Sequence, residues 1–137
     1  MIQMSDTPVV FIDCDETLVT WDVPFEEQEN ALILDAGGYN VICMPHKPHI
    51  ELLKHFKARG QQVVVWSAGG ATWAGNVVKT LQLESCVDLV ISKPDWFIDD
   101  LPAELFMPEA NRIYLHPNYP LKKTVTPINY RQYQDKE

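Results

Sequence analysis

Four residues of types that handle phosphate stand at or just beyond the ends of short apolar runs: Asp13 after VVFI, Ser67 after VVVW, Lys93 after VDLVIS and Asp99 after WFI. Carboxylates attract a hard cation, a lysine neutralises an anion, and a hydroxyl donates to a phosphate oxygen, so the set suits phosphoryl chemistry. Asp15 follows Asp13 at a spacing of two, and Asp100 extends Asp99 to an acidic pair. Residues two apart on an extended chain point the same way. Asp13 and Asp15 can therefore face one substrate while Cys14 points elsewhere.

Such residues converge only if the elements that carry them are parallel strands. The runs PVVFI, QVVVW, VDLVI and WFI are rich in β-branched and aromatic residues and too short for helices, so they read as four buried strands, with RIYLH as a fifth candidate. Between the first two, HKPHIELLKHFKARG places Ile50, Leu53, Phe56 and Lys57 at helical spacing, with Gly60 as the stop. Between the second and third, GATWAGNVVKTLQL places Trp73, Val77, Val78 and Leu81 on one helical face. Strands alternating with helices predict an α/β fold, a Rossmann-like parallel sheet with flanking helices and right-handed crossovers. In such sheets the ligand crevice lies beyond the carboxyl ends of the strands, which is where the four residues fall. ALILDAGGYNVICM differs: two apolar runs flank an Asp-Ala-Gly-Gly turn, which predicts a small β-hairpin flap.

VVFIDCDETLV carries the pattern apolar strand, Asp-x-Asp-x-Thr-Leu, and resembles the first motif of haloacid dehalogenase superfamily phosphatases. The resemblance implies that Asp13 is a nucleophile forming an aspartyl-phosphate. Asp15 would protonate the leaving oxygen and then activate water, with Thr17 bracing the loop by hydrogen bonding. SAGG is similar to the second motif, in which Ser67 and the following backbone N–H, that of Ala68, hold a phosphate oxygen before a helix N-terminus. Lys93, in a Lys-Pro pair ahead of an Asp-Asp strand end, is the favoured phosphate-neutralising lysine over Lys79, which sits inside a helix. Asp99 and Asp100 match the acidic fourth motif. The resemblance implies Mg²⁺ held by Asp13, Asp99 and the backbone carbonyl of Asp15, with Asp100 on a metal-bound water or orienting its neighbours.

That likeness covers about residues 8 to 103 and implies a magnesium-dependent phosphatase acting on a phosphate monoester. The insertion after the first motif holds only the flap, and the second holds a single helix, so no cap domain fits. An open site of this kind accepts a bulky phosphorylated substrate, or a small one enclosed partly by another subunit. A sugar phosphate, a nucleotide, a phosphorylated nucleic-acid end and a phosphoprotein all satisfy the pattern. Two alternatives share the fold: a phosphotransferase with an acceptor other than water, and a catalytically silent binding or scaffold protein. Phospho-receiver domains gather similar residues but lack the acid two positions after the phosphorylated aspartate.

Other residues read as packing or surface. His46, His49 and His55 surround a helix start without a carboxylate or cysteine at ligand spacing, and Trp66, Trp73 and Trp96 lie in or beside predicted core elements. Trp21 and Phe25 follow the catalytic loop and are the aromatic candidates for substrate contact.

At 137 residues the chain has the size of one domain, expected over 1–115, with a tail at 116–137 that packs on it or stays partly mobile. A formal net charge of −8 argues against binding extended nucleic acid. Cys14, Cys43 and Cys86 form neither a disulfide framework nor a zinc pattern. With no signal-peptide pattern and no apolar run near the roughly 20 residues that span a bilayer, a cytoplasmic protein is expected.

Overall fold

The structure, a computed structural model, describes residues 8–113, and these fall into two units that divide after Lys93.

The first unit is α/β. Its element order is β1 (Val9–Asp13), β2 (Val19–Thr20), β3 (Leu32–Asp35), β4 (Asn40–Pro45), α1 (Lys47–Ala58), β5 (Gln62–Ser67), α2 (Ala71–Thr80) and β6 (Leu89–Ser92). Strands β1, β5 and β6 make a three-stranded parallel sheet with β5 in the middle. Val63 and Val65 on β5 are fully buried, with Leu53 of α1, Val77 of α2 and Leu83 equally so. Of the four runs expected to be buried strands, only that of β5 is mostly buried. Val9 and Phe11 of β1 and Leu89 of β6 are each more than two-fifths exposed. By register, Val9 and Phe11 share a sheet face with Val64 and Trp66, opposite the face that carries Val63, Val65 and Ser67.

Local chemistry sets the ends of the helices. His46 caps α1, its Nδ1 accepting the His49 amide at 3.3 Å, and Gly60 follows the helix at φ 80, a conformation that favours glycine. Gly70, at φ 103, makes the turn from β5 into α2.

The expected hairpin is present. β3 and β4 pair antiparallel, and Asp35 Oδ1 accepts the amides of Gly37 and Gly38 across the turn at 2.9 and 3.1 Å. Those bonds hold the Asp35 carboxyl below its ordinary range. β2 adds to the other edge of β4, and Asn76 of α2 donates to the Asp35 carbonyl at 3.3 Å.

In the second unit the predicted fourth strand does not form. Trp96, Phe97 and Ile98 are irregular, with Trp96 and Ile98 almost wholly exposed. Trp96, Phe97 and Ile98, between Pro94 and Pro102, form no ladder with any described strand, and a strand exists only through its pairing. Trp96 is therefore not a core residue. The unit contains a four-residue helix, α3 (Ala103–Phe106), and a stacked pair, Phe97 and Phe106, with ring centroids 5.3 Å apart. Most of RIYLH, and the tail beyond it, lie outside the described residues. Among the described residues no helix is long and apolar enough to cross a membrane.

Candidate active site

The three parallel strands end at one edge of the sheet. Asp13 closes β1 beside Trp66, Ser67 closes β5 beside Ser92, and Lys93 follows β6, its amide donating to the Ser67 carbonyl at 2.9 Å. The Lys93 side chain runs over the Trp66 ring, with Nζ 5.9 Å from the ring centroid, and reaches Asp13 Oδ1 at 3.2 Å. Lysine and aspartate thus meet from the two outer strands across the central one. Lys79 is exposed in the last turn of α2, as its position within a helix suggested.

After Asp13 the chain folds into a tight loop. Three successive amides, those of Thr17, Leu18 and Val19, donate to the Cys14 carbonyl, and Thr17 Oγ1 donates to Asp13 Oδ2 at 3.3 Å. Glu16 takes φ 59, the left-handed region that a side chain disfavours. It is held there in part by the Trp21 amide, which donates to Glu16 Oε1 at 2.9 Å. Cys14 is fully buried and burial pushes its thiol up to about 12, so it is a packing residue, while Asp13 and Asp15 keep partial exposure. All three cysteines are free.

Asp15 is held by Trp73, whose indole Nε1 donates to Asp15 Oδ1 at 2.8 Å. Burial raises the Asp15 carboxyl above its ordinary range. The indole bond opposes that rise, and the nearby Asp13 charge adds to it. Trp73 is therefore part of the site rather than core packing. It also stacks on Trp21, with ring centroids 5.9 Å apart and planes 19° apart. Its position carried a readable signal. Helical side chains lean toward the helix N-terminus, so a tryptophan in the first turn after a strand points back toward the strand ends, and its N–H needs a partner.

Ser67 is fully buried, and its hydroxyl oxygen accepts the Gly69 amide at 3.0 Å, which leaves its O–H to donate. Ala68 is exposed in the turn that follows. A Cβ on Gly69 would lie 3.1 Å from Trp73 Cδ1 and 3.3 Å from Ser67 Oγ, so glycine is what lets the indole close over this turn. Ser92 Oγ accepts the first helical amide of α2, that of Ala71, at 2.9 Å.

His49, read as surface or packing, is buried, and its Nδ1 donates to the Thr17 carbonyl at 2.8 Å. It supports the loop from below. Phe25 is largely exposed.

Asp99 and Asp100 belong to the second unit and do not end a strand. Asp99 Oδ1 accepts the Leu101 amide at 3.1 Å. The helix α3 has no side-chain cap, so capping does not account for Asp100.

Mg²⁺ takes one or two carboxylates and keeps several waters. The Asp13 carboxylate, with the Asp15 backbone carbonyl as a second oxygen donor, fits that demand. Among the described residues no group of three or more His, Cys, Asp and Glu side chains gathers as a ready-made cation cage. Comparison with protein-family models, curated proteins and solved structures finds no match to the chain.

Proposed function

We propose that this chain is a magnesium-dependent phosphatase of the haloacid dehalogenase type, hydrolysing a phosphate monoester through an aspartyl-phosphate on Asp13. The observation that carries the reading is the meeting of Lys93 and Asp13 at the carboxyl ends of parallel strands, with Asp15 beside them. A nucleophilic carboxylate repels a phosphate dianion, and a lysine within 3.2 Å offsets that repulsion and orients the attacking oxygen.

The geometry supports the following roles. Asp13 attacks phosphorus, and Thr17, bonded to its other oxygen, fixes the plane of the carboxylate. Asp15, partly buried with its carboxyl raised, is suited to give a proton to the departing oxygen and later to take one from water. Ser67 O–H and the Ala68 amide are the proposed donors to the phosphoryl oxygens, supported by the tight turn that opens α2.

The Asp13 carboxylate and Asp15 carbonyl would hold Mg²⁺. Asp99 and Asp100 enter the proposal from the sequence pattern alone. Such an ion supplies charge neutralisation for the facing carboxylates and for the charge that develops in transfer.

The test is a phosphatase screen on purified protein with magnesium, measuring both free phosphate and phosphorylated acceptor. Release of free phosphate from several monoesters supports hydrolysis, transfer to an acceptor supports a phosphotransferase, and neither outcome with any ester sinks both.

A further inference from the structure

Packing alone does not explain where Trp73 spends its indole N–H. The ring lies in the first turn of α2, its N–H ends on Asp15 Oδ1 at 2.8 Å, and its face is stacked on Trp21. Trp21 is in turn tied through its backbone amide to Glu16, the residue after Asp15. Gly69 leaves the space into which the indole edge fits. Four separate features thus fix one ring against one carboxylate oxygen.

We propose that Trp73 is a positioning residue for Asp15: its indole N–H pins Oδ1 and turns Oδ2 toward the reacting phosphoryl group. This rests on the phosphatase reading above. An indole N–H is a donor only, so the oxygen it meets must accept, and the mobile proton of the carboxyl belongs on Oδ2. A carboxyl otherwise turns freely about its last torsion and presents either oxygen. In the first transfer the Asp13–phosphorus bond forms as the ester oxygen leaves, and the Oδ2 proton moves to that oxygen. In the second, a water oxygen bonds to phosphorus, the Asp13–phosphorus bond breaks, and a water proton moves to Oδ2. The stack with Trp21 keeps the indole in register through both steps.

The inference separates Trp73 from a residue that only supports the fold. An alkyl phosphate needs a proton as its alkoxide departs, whereas an aryl phosphate leaves with little help, so misplacing the acid harms the first far more. Two replacements at position 73 test this: Trp73→Phe, which keeps a stacking ring, and benzothienylalanine, which keeps the size and shape of indole and removes only the N–H. For each, kcat/KM is measured with magnesium on one alkyl and one aryl phosphate, beside the unmodified protein. The expected result for both is a loss of about tenfold or more on the alkyl ester and less than about threefold on the aryl ester. Equal losses on the two esters, or no loss on the alkyl ester with benzothienylalanine, overturns the positioning role. If the unmodified protein itself hydrolyses neither ester, the phosphatase reading fails, and the role assigned to Trp73 falls with it.

Discussion

Lys93 Nζ lies 3.2 Å from Asp13 Oδ1, bridging the ends of β6 and β1 over the indole of Trp66 on the strand between them. Both side chains keep about a third of their surface in water, which makes the pair a weak contributor to stability and a well-placed one for a ligand that enters from solvent. Lys93→Ala is expected to lower phosphate release by about 10²-fold or more, since it removes the cation that faces the developing charge. Lys79→Ala, on the exposed last turn of α2, should keep most of the activity. Steady-state rates on an aryl phosphate check both, and a reversal of the two losses would move the role to Lys79.

Hydrolysis should depend on added magnesium. Treatment with EDTA is expected to abolish release from an aryl phosphate, and excess Mg²⁺ to restore it, because the Asp13 carboxylate otherwise faces the substrate dianion with Lys93 as its only described ion-pair partner. Full activity after exhaustive chelation would refute the metal requirement while leaving the lysine and aspartate roles standing.

The two glycines flanking the site tryptophan should respond in opposite ways to alanine. A Cβ at Gly75, inside α2, meets nothing within 4 Å, so Gly75→Ala should stabilise the protein by about 0.5–1 kcal/mol through helix propensity. Gly69→Ala places its Cβ 3.1 Å from Trp73 Cδ1, so the indole must shift by a few tenths of an ångström against Asp15, and should cost about tenfold in kcat/KM on an alkyl phosphate. Thermal melts and kinetics on the pair check this. Equal activity in both variants would show that the turn can relax around the added methyl.

Much of this arrangement is legible in the sequence. The parallel strands, both long helices and the hairpin follow from periodicity and turn chemistry, because each is fixed by residues close in sequence: His46 and Gly60 bound α1, and Asp35 closes its own turn. The alternation that buries Cys14 and leaves Asp13 and Asp15 on the other side was equally local. WFI misled because strand composition says nothing about whether a partner edge is available. Trp73 misled for the reverse reason. Its hydrophobic ring satisfies a helical core pattern, while the bond that gives it a chemical place is made to a residue on another element. The bond from buried His49 to the loop after β1 is likewise a long-range contact, with no spacing rule to announce it.

Stability should fall on mild acidification, and His46 should account for part of it. Burial, then the neighbouring His49, pushes His46 down from 6.5 to about 4. A histidine with a depressed folded value takes up its proton first in the unfolded chain. Its contribution to the fold is therefore intact above about pH 6.5 and is lost as pH falls toward 4. His46→Asn keeps an acceptor for the His49 amide at the helix cap and removes the titration. Its melting temperature should decline less steeply over that interval than that of the parent, with a residual slope from His49, which burial also lowers. Parallel slopes would show that His46 titrates alike in the folded and unfolded chain.

The paired aspartates should fail in different ways, because in the proposed reaction one attacks phosphorus and the other moves protons. Asp13→Asn is expected to be inactive on every ester, since an amide oxygen is too poor a nucleophile to take the phosphoryl group. Asp15→Asn keeps an oxygen that can accept the Trp73 N–H, so the loop and the stack should persist while the acid is gone. That variant should still form the aspartyl-phosphate from an aryl ester, form it far more slowly from an alkyl ester, and then hydrolyse it slowly for want of a base. Each protonic role is worth about 10²–10⁴-fold, so the intermediate should accumulate within a single turnover. Rapid acid quenching followed by measurement of protein-bound phosphate reads this directly. Near-normal turnover by Asp13→Asn would remove it as the nucleophile. Equal impairment of both esters by Asp15→Asn, with no accumulation, would place the acid and base on another residue.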